Sequence, residues 1–387
     1  MRILLIFLTT SFASVVGQQI QPSHSTESLR GVSAVSRTIA WASGTHGTYL
    51  RTTDGHLWMP AQVPGAESLD FRAVVAFSPD EAFLMSAGPG EQSRIYHTAD
   101  AGRHWALQYS NKNPKGFFDS MVFWDRTHGI VLGDPVPDET GQLKFELLMT
   151  GDGQTWTHIA PAQLPPAVEG EGAFAASNSC VAILRRVMTV SSGSSAPGTP
   201  GEKKEEASAP EGKDHNIWFA TGGKAARVFH SPDRGQTWEV FDTPINHGPD
   251  SAGIFSIAFR DPLHGVIAGG DYKRPDEDGP DLAFTNDGGK TWKLSKIVPQ
   301  SYYSAVAYDR RYDDPRAKSP KAKESDENQL GVRLYLAGPK FIYDFRPPRN
   351  PTRISAPGKS DQFNAVAPYP EGGALIVGPK GTIASIP

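Results

Sequence analysis

Short apolar runs alternate with polar turns along almost the whole chain. Phe123-Trp-Asp-Arg-Thr-His128-Gly129-Ile-Val-Leu-Gly133-Asp134 reads as the end of one apolar strand, a polar reversal and a second apolar strand, and Phe259 to Asp271 repeats the pattern. Runs of four to eight residues bounded by Gly, Asp and Pro predict β-strands. A short phrase follows many of these strand pairs. Ser231-Pro-Asp233-Arg-Gly235-Gln-Thr237-Trp238 and Thr285-Asn-Asp287-Gly-Gly289-Lys-Thr291-Trp292 are full copies, and Thr98-Ala-Asp100-Ala-Gly102-Arg-His104-Trp105 has His in the Thr slot. Met149-Thr-Gly151-Asp-Gly153-Gln-Thr155-Trp156 has Gly where the register puts Asp, and Arg51 to Trp58 keeps Gly55 and Trp58. The pattern predicts a hairpin. Asp accepts bonds from the N–H groups of its own turn, Gly takes positive φ, and Trp begins the next strand and packs between sheets.

The tryptophans at 58, 105, 156, 238 and 292 are 47, 51, 82 and 54 residues apart. The long step holds a Ser/Pro/Gly/Glu/Lys stretch, 191–214. With that insertion set aside, the period is near fifty, which signals circular or stacked repeats. First strands are expected near Leu29, Phe71, Phe118, Phe174, Phe255, Tyr303 and Phe363. These predict an all-β, seven-bladed β-propeller spanning 18–387 as one domain. The sixth blade carries a second insertion, 309–329, and no recognisable turn phrase. The last blade ends three strands in, so its fourth is expected from Gln19 to His24, pairing the chain's two ends and leaving only short sheet edges.

Composition agrees with this reading. The 39 Gly and 32 Pro disfavour a helical protein and supply the turns. A net charge of −4 gives no basic surplus for nucleic acid, and the single cysteine, Cys180, rules out an intramolecular disulfide. Cys180 is expected to be a buried small hydrophobe. Residues 1–17 read as a secretory signal peptide cut near Gly17 or Gln18, which predicts a secreted or periplasmic protein with no membrane span after cleavage.

The turn phrases carry a resemblance, together with Leu29-Arg30-Gly31-Val32-Ser33, Ala40 to Thr48, Phe118 to Trp124, Gly133-Asp134-Pro135-Val136, Phe174 to Cys180, Ile217 to Gly223, Gly253 to Asp261 and Gly269 to Tyr272. The chain resembles the bacterial relatives of the photosystem II stability/assembly factors, a branch of the Asp-box (BNR) repeat propellers. The resemblance implies a non-catalytic, monomeric scaffold that binds a protein partner and needs no cofactor. Because glycosidases share the Asp-box repeat, the alternative is a glycoside hydrolase acting on a glycan. No metal-ligand spacing, GxGxxG or P-loop is present.

Asp100, Gly102, Trp105, Gly153, Trp156, Asp233, Gly235, Trp238, Asp287, Gly289 and Trp292 are expected to be structural. Binding is expected on the opposite face, formed by loops entering the first strands and loops joining the second and third. Arg30, Arg72, Asp119 and Asn364 follow the first residue of their strands and should approach the central channel, as should Ala175, Ser256 and Ser304. Asp134, Glu171, Asp271, Tyr272 and Tyr303 are the further binding candidates. A hydrolase would use Asp119, Asp134 and Asp271. A sialidase-like site would instead pair Tyr302 or Tyr303 with Glu171.

Overall fold

The computed structural model describes residues 19–159, 164–184, 215–296, 302–312, 332–339, 341–345, 352–354 and 362–387. The 1–17 segment and the 191–214 insertion lie outside these residues, as do 313–329 of the second insertion. The described strands form seven antiparallel sheets, with no α-helix among the described residues. This is a seven-bladed β-propeller. The innermost strands are Leu29–Ala34, Asp70–Ala76, Phe118–Phe123, Val181–Ile183, Ala252–Phe259, Ala305–Tyr308 and Ala365–Pro368. The sixth blade has four paired strands despite its missing turn phrase. In the seventh, Gln19–Gln21 pairs with Ile383 to Ser385, so the chain's first strand completes the sheet its last strands begin. Apolar side chains of neighbouring blades interlock between the sheets. Trp218 and Phe259, for example, stack with centroids 3.8 Å apart.

The turn phrase works through two side chains. Asp233 Oδ1 accepts the N–H groups of Gln236 and Thr237 at 3.0 and 2.8 Å, and its Oδ2 accepts the Thr237 hydroxyl at 2.6 Å. Asp287 and Asp100 hold their own turns in the same way. The second device is the Ser or Thr that opens each phrase. Ser231, Thr285 and Thr98 Oγ accept the N–H groups of Gly235, Gly289 and Gly102. In the first and third blades the hairpin is one residue shorter. There Asp54 and Asp152 take the carboxylate role, and Thr52 and Thr150 hold Gly55 and Gly153. The third blade's aspartate therefore stands at 152, one place after the position read from the register of its neighbours. Thr285→Val should destabilise the fold by about 1–2 kcal/mol, because a buried acceptor of the Gly289 and Asp287 N–H groups is lost. Urea denaturation checks this.

The fourth blade departs from the sequence reading. Its inner strand begins at Val181, not near Phe174. The segment 173–180 instead bonds to the inner strands of three blades and to the residue that enters the inner strand of a fourth. Ala175 O accepts Arg72 Nη1 at 2.8 Å from the second blade. Asn178 Oδ1 accepts Met121 N at 2.7 Å, and Asn178 Nδ2 donates to Met121 O at 3.0 Å in the third. Ser179 bonds Ser256 Oγ and Ile257 N in the fifth, and Ser177 Oγ donates to Ser304 O at 2.7 Å in the sixth. Inner strands line the channel, so a segment bonded to three of them and to the entry of a fourth must run through it. Residues 173–180 are a plug.

Candidate functional site

A bulge places the inward side chains. The first strands of blades one, two, three and five shift register between Leu29 and Gly31, Phe71 and Ala73, Phe118 and Ser120, and Ile254 and Ser256. The extra residue leaves the ladder and turns toward the channel. It is Arg30, Arg72 and Asp119 in the first three blades. In the fifth it is Phe255, one place before the Ser256 expected from sequence.

Arg72 Nε donates to Asp70 Oδ2 at 2.6 Å, while Arg30 Nε lies 3.9 Å from the same oxygen and has no hydrogen-bond partner. Two guanidinium groups thus share one carboxylate and leave a net positive charge. Burial and the nearby Arg72 charge pull the Arg30 pKa below its ordinary value, so the cation is under-compensated.

An aromatic wall adjoins this pair. Phe174, from the plug, stacks on Phe255 with centroids 3.8 Å apart and planes 8° apart. Tyr302 meets Phe255 edge-on at 4.7 Å, and Tyr272 does so at 6.1 Å. Burial raises the Tyr302 hydroxyl pKa, and the charges of Arg30 and Arg72 lower it. Tyr272 is 48% exposed and forms the wall's solvent-facing edge. The stack depends on a close backbone crossing below it. A Cβ on Gly253, whose φ is 150°, would lie 2.2 Å from Gly222 Cα, and one on Gly222 would strike Phe174.

The other candidates are placed differently. Tyr303 is fully buried in the apolar core between the fifth and sixth blades, so it is a packing residue. Glu171 is locked by Arg227, the Thr221 hydroxyl at 2.6 Å and Val168 N at 2.9 Å, and serves the loop that leads into the plug. Asp271 accepts Lys273 N and Arg274 Nε, each at 2.9 Å, and fixes the turn that presents Tyr272. Asn364 donates to Leu29 O at 2.7 Å and ties the seventh blade to the first. Ser256 Oγ accepts Val306 N at 2.8 Å, a similar tie between the fifth and sixth.

Asp119 is 1% exposed, and its Oδ2 has no hydrogen-bond partner. Asp134 sits at a second bulge and accepts Ala173 N at 2.9 Å. A glycosidase needs two carboxyl groups flanking a bound sugar. Asp119 is closed off and Asp271 is engaged by Arg274, so Asp119, Asp134 and Asp271 do not present such a pair. Among the described residues, no three His, Cys, Asp or Glu side chains gather as a metal site, and no helix is long and apolar enough to cross a membrane.

Phe174, Phe255, Tyr302 and the Arg30–Arg72 pair define a propeller with a plugged channel and a cationic, aromatic mouth. No protein-family model matches the chain. It is 24% identical over 277 residues to the photosystem II assembly protein Ycf48 of Synechococcus sp. (strain JA-2-3B'a(2-13)), covering 59% of this chain and 78% of that one. A solved structure described as YCF48 bound to D1 peptide superposes with a TM-score of 0.60 at 14% identity, covering 98% of this chain and 99% of that one. A streptogramin B lyase structure also superposes at 0.60, with 10% identity over 96% and 97% of the chains, so the same architecture also serves an enzyme. The chain is a seven-bladed β-propeller similar in sequence, at modest identity, to a Ycf48 photosystem II assembly protein.

Proposed function

We propose that this chain is an exported, monomeric, non-catalytic scaffold that binds an acidic segment of a protein partner at the plugged mouth. The observation that carries this reading is the sharing of Asp70 by Arg30 and Arg72, which leaves a partly buried positive charge. A carboxylate of the partner would complete that pairing with charge-assisted hydrogen bonds. Tyr272, 48% exposed, offers flat apolar area beside it, the combination that anchors many protein interfaces. The peptide in the YCF48 structure supports a protein partner over a glycan. Export rests on the apolar 1–17 segment.

An array of peptides tiled over the exported proteins of the source organism, probed with the labelled protein, tests the reading. Binding should concentrate on acidic peptides and fall about tenfold or more with Tyr272→Ala, the loss of an exposed aromatic anchor. Binding indifferent to peptide charge, or unchanged by Tyr272→Ala, would refute it.

A further inference from the structure

The plug is gripped from two sides. Arg72, a mouth residue, holds the carbonyl of Ala175, and Asp134 holds the N–H of Ala173, two residues earlier. Asp119 follows Phe118, which pairs with the Gly133 that precedes Asp134, and it is buried with an oxygen that no donor satisfies. An unpaired buried carboxylate is costly, and two adjoining ones cannot both ionise cheaply. The other groups facing Asp119 are Arg72 from the second blade, Glu146 from the third and the Cys180 thiol at the end of the plug. Glu146 is itself held by Asn111 at 2.7 Å, with His158 Nε2 3.9 Å away.

We infer that Asp119 and Asp134 form a proton-operated latch on the plug, and that proton uptake at Asp134 tightens the hold of the mouth on an acidic partner. The second clause rests on the function proposed above; the latch itself does not. Burial pushes the Asp119 carboxyl toward its proton-bearing form, which gives Asp134 an apolar neighbour. When Asp134 takes up a proton, one negative charge is removed two plug residues from the Ala175 carbonyl that Arg72 holds, so the mouth gains net positive charge. The bond from Ala173 loses its ionic character in the same step, which loosens the plug at that end.

The pKa directions agree with this geometry. Burial pushes Asp134 up to about 6, against the opposing pull of the Ala173 N–H. Asp119 is raised well above the usual carboxylate range, by burial first and then by the charge of Asp134, with Arg72 opposing. A folded-state pKa above the unfolded 3.8 means that protonation favours the fold. This stabilisation is full below about pH 4 and is lost as the pH rises through about 6. Asp281, which burial pushes up to about 7, titrates nearby in the fifth blade. It is present in both proteins compared below and cancels between them.

The experiment measures thermal stability and affinity for an acidic peptide taken from the array, at about pH 5 and about pH 7.5, in the wild type and in Asp134→Asn. Asn imitates the protonated form. The wild type should melt higher at the lower pH, and the variant should show a smaller difference. Wild-type affinity should rise about 3- to 10-fold on acidification, as expected for one partly screened charge, while the variant binds at the higher pH as the wild type does at the lower. An Asp134→Asn protein with an undiminished melting difference overturns the latch. A flat affinity alongside the expected melting difference overturns the coupling to the mouth, and failure of all acidic peptides to bind overturns the site reading alone. Should the variant not fold, amide exchange in the wild type decides. Protection at Ala173, corrected for intrinsic rates, should fall on acidification, and unchanged protection overturns the latch.

Discussion

Trp218→Ala should lower the free energy of unfolding by about 3–5 kcal/mol, the range for truncating a fully buried large aromatic side chain. The indole is completely enclosed between the fourth and fifth blades. One face stacks on Phe259 at 3.8 Å and the ring also lies parallel to His230 at 4.9 Å, while Nε1 donates to Gly288 O at 2.8 Å in the fifth blade's turn. Truncation would leave a cavity, break the ring stacks and orphan a buried carbonyl together. Neighbouring blades hold their shape, so collapse into the space is limited. Trp218→Phe keeps the volume and loses only the N–H, and should cost about 1–2 kcal/mol. Guanidinium denaturation of both variants checks this. A cost below about 1 kcal/mol for the alanine would mean that the blade interface repacks freely.

Trp218 also marks what the sequence could and could not reveal. The tryptophans that close turn phrases were legible because Asp, Gly and Thr stand at fixed offsets before them. Trp218 and Trp41 have no such frame. Their common role, an indole N–H reaching a carbonyl of the next blade, appears only when the blades are side by side. The seven-blade plan was readable because it rests on local alternation repeated many times. The plug was not, because 173–180 looks like any short apolar run. Its bonds to Arg72, Met121, Ser256 and Ser304 are long-range and leave no mark in the local pattern. The site was legible in part. Arg30 and Arg72 emerged from a repeat position that the structure realises as a bulge. Tyr302 and Tyr303 were not separable by sequence; packing buries Tyr303 in the core and sets Tyr302 edge-on to Phe255. The repeat position points to Ser256, whereas the structure turns Phe255 toward the channel, because a bulge shifts the facing by one and cannot be seen in alternation alone.

Replacing both Arg30 and Arg72 by Gln should weaken binding of the partner's acidic segment by about 30-fold or more, the range for truncating partners of desolvated charge pairs. Two effects add in the same direction. The mouth loses two positive charges while Asp70 remains, so an attractive site becomes a repulsive one. Gln also cannot offer a carboxylate the paired N–H geometry of guanidinium. Fluorescence anisotropy with a labelled peptide measures the loss, and its salt dependence separates the two effects. Wild-type affinity should fall as salt rises, because charges near a surface are screened, and the affinity of the double variant should change little. Arg72→Lys is the informative single substitution. It keeps the charge, yet it cannot reach both Asp70 and Ala175 O as the planar fork does. Its binding should fall several-fold with a nearly unchanged salt slope. Lys290→Gln, on the exposed turn of the fifth blade, removes a charge of the same sign away from the mouth and should leave affinity unchanged. An equal loss from Lys290→Gln would mean that overall charge, not the Arg30–Arg72 pair, attracts the peptide.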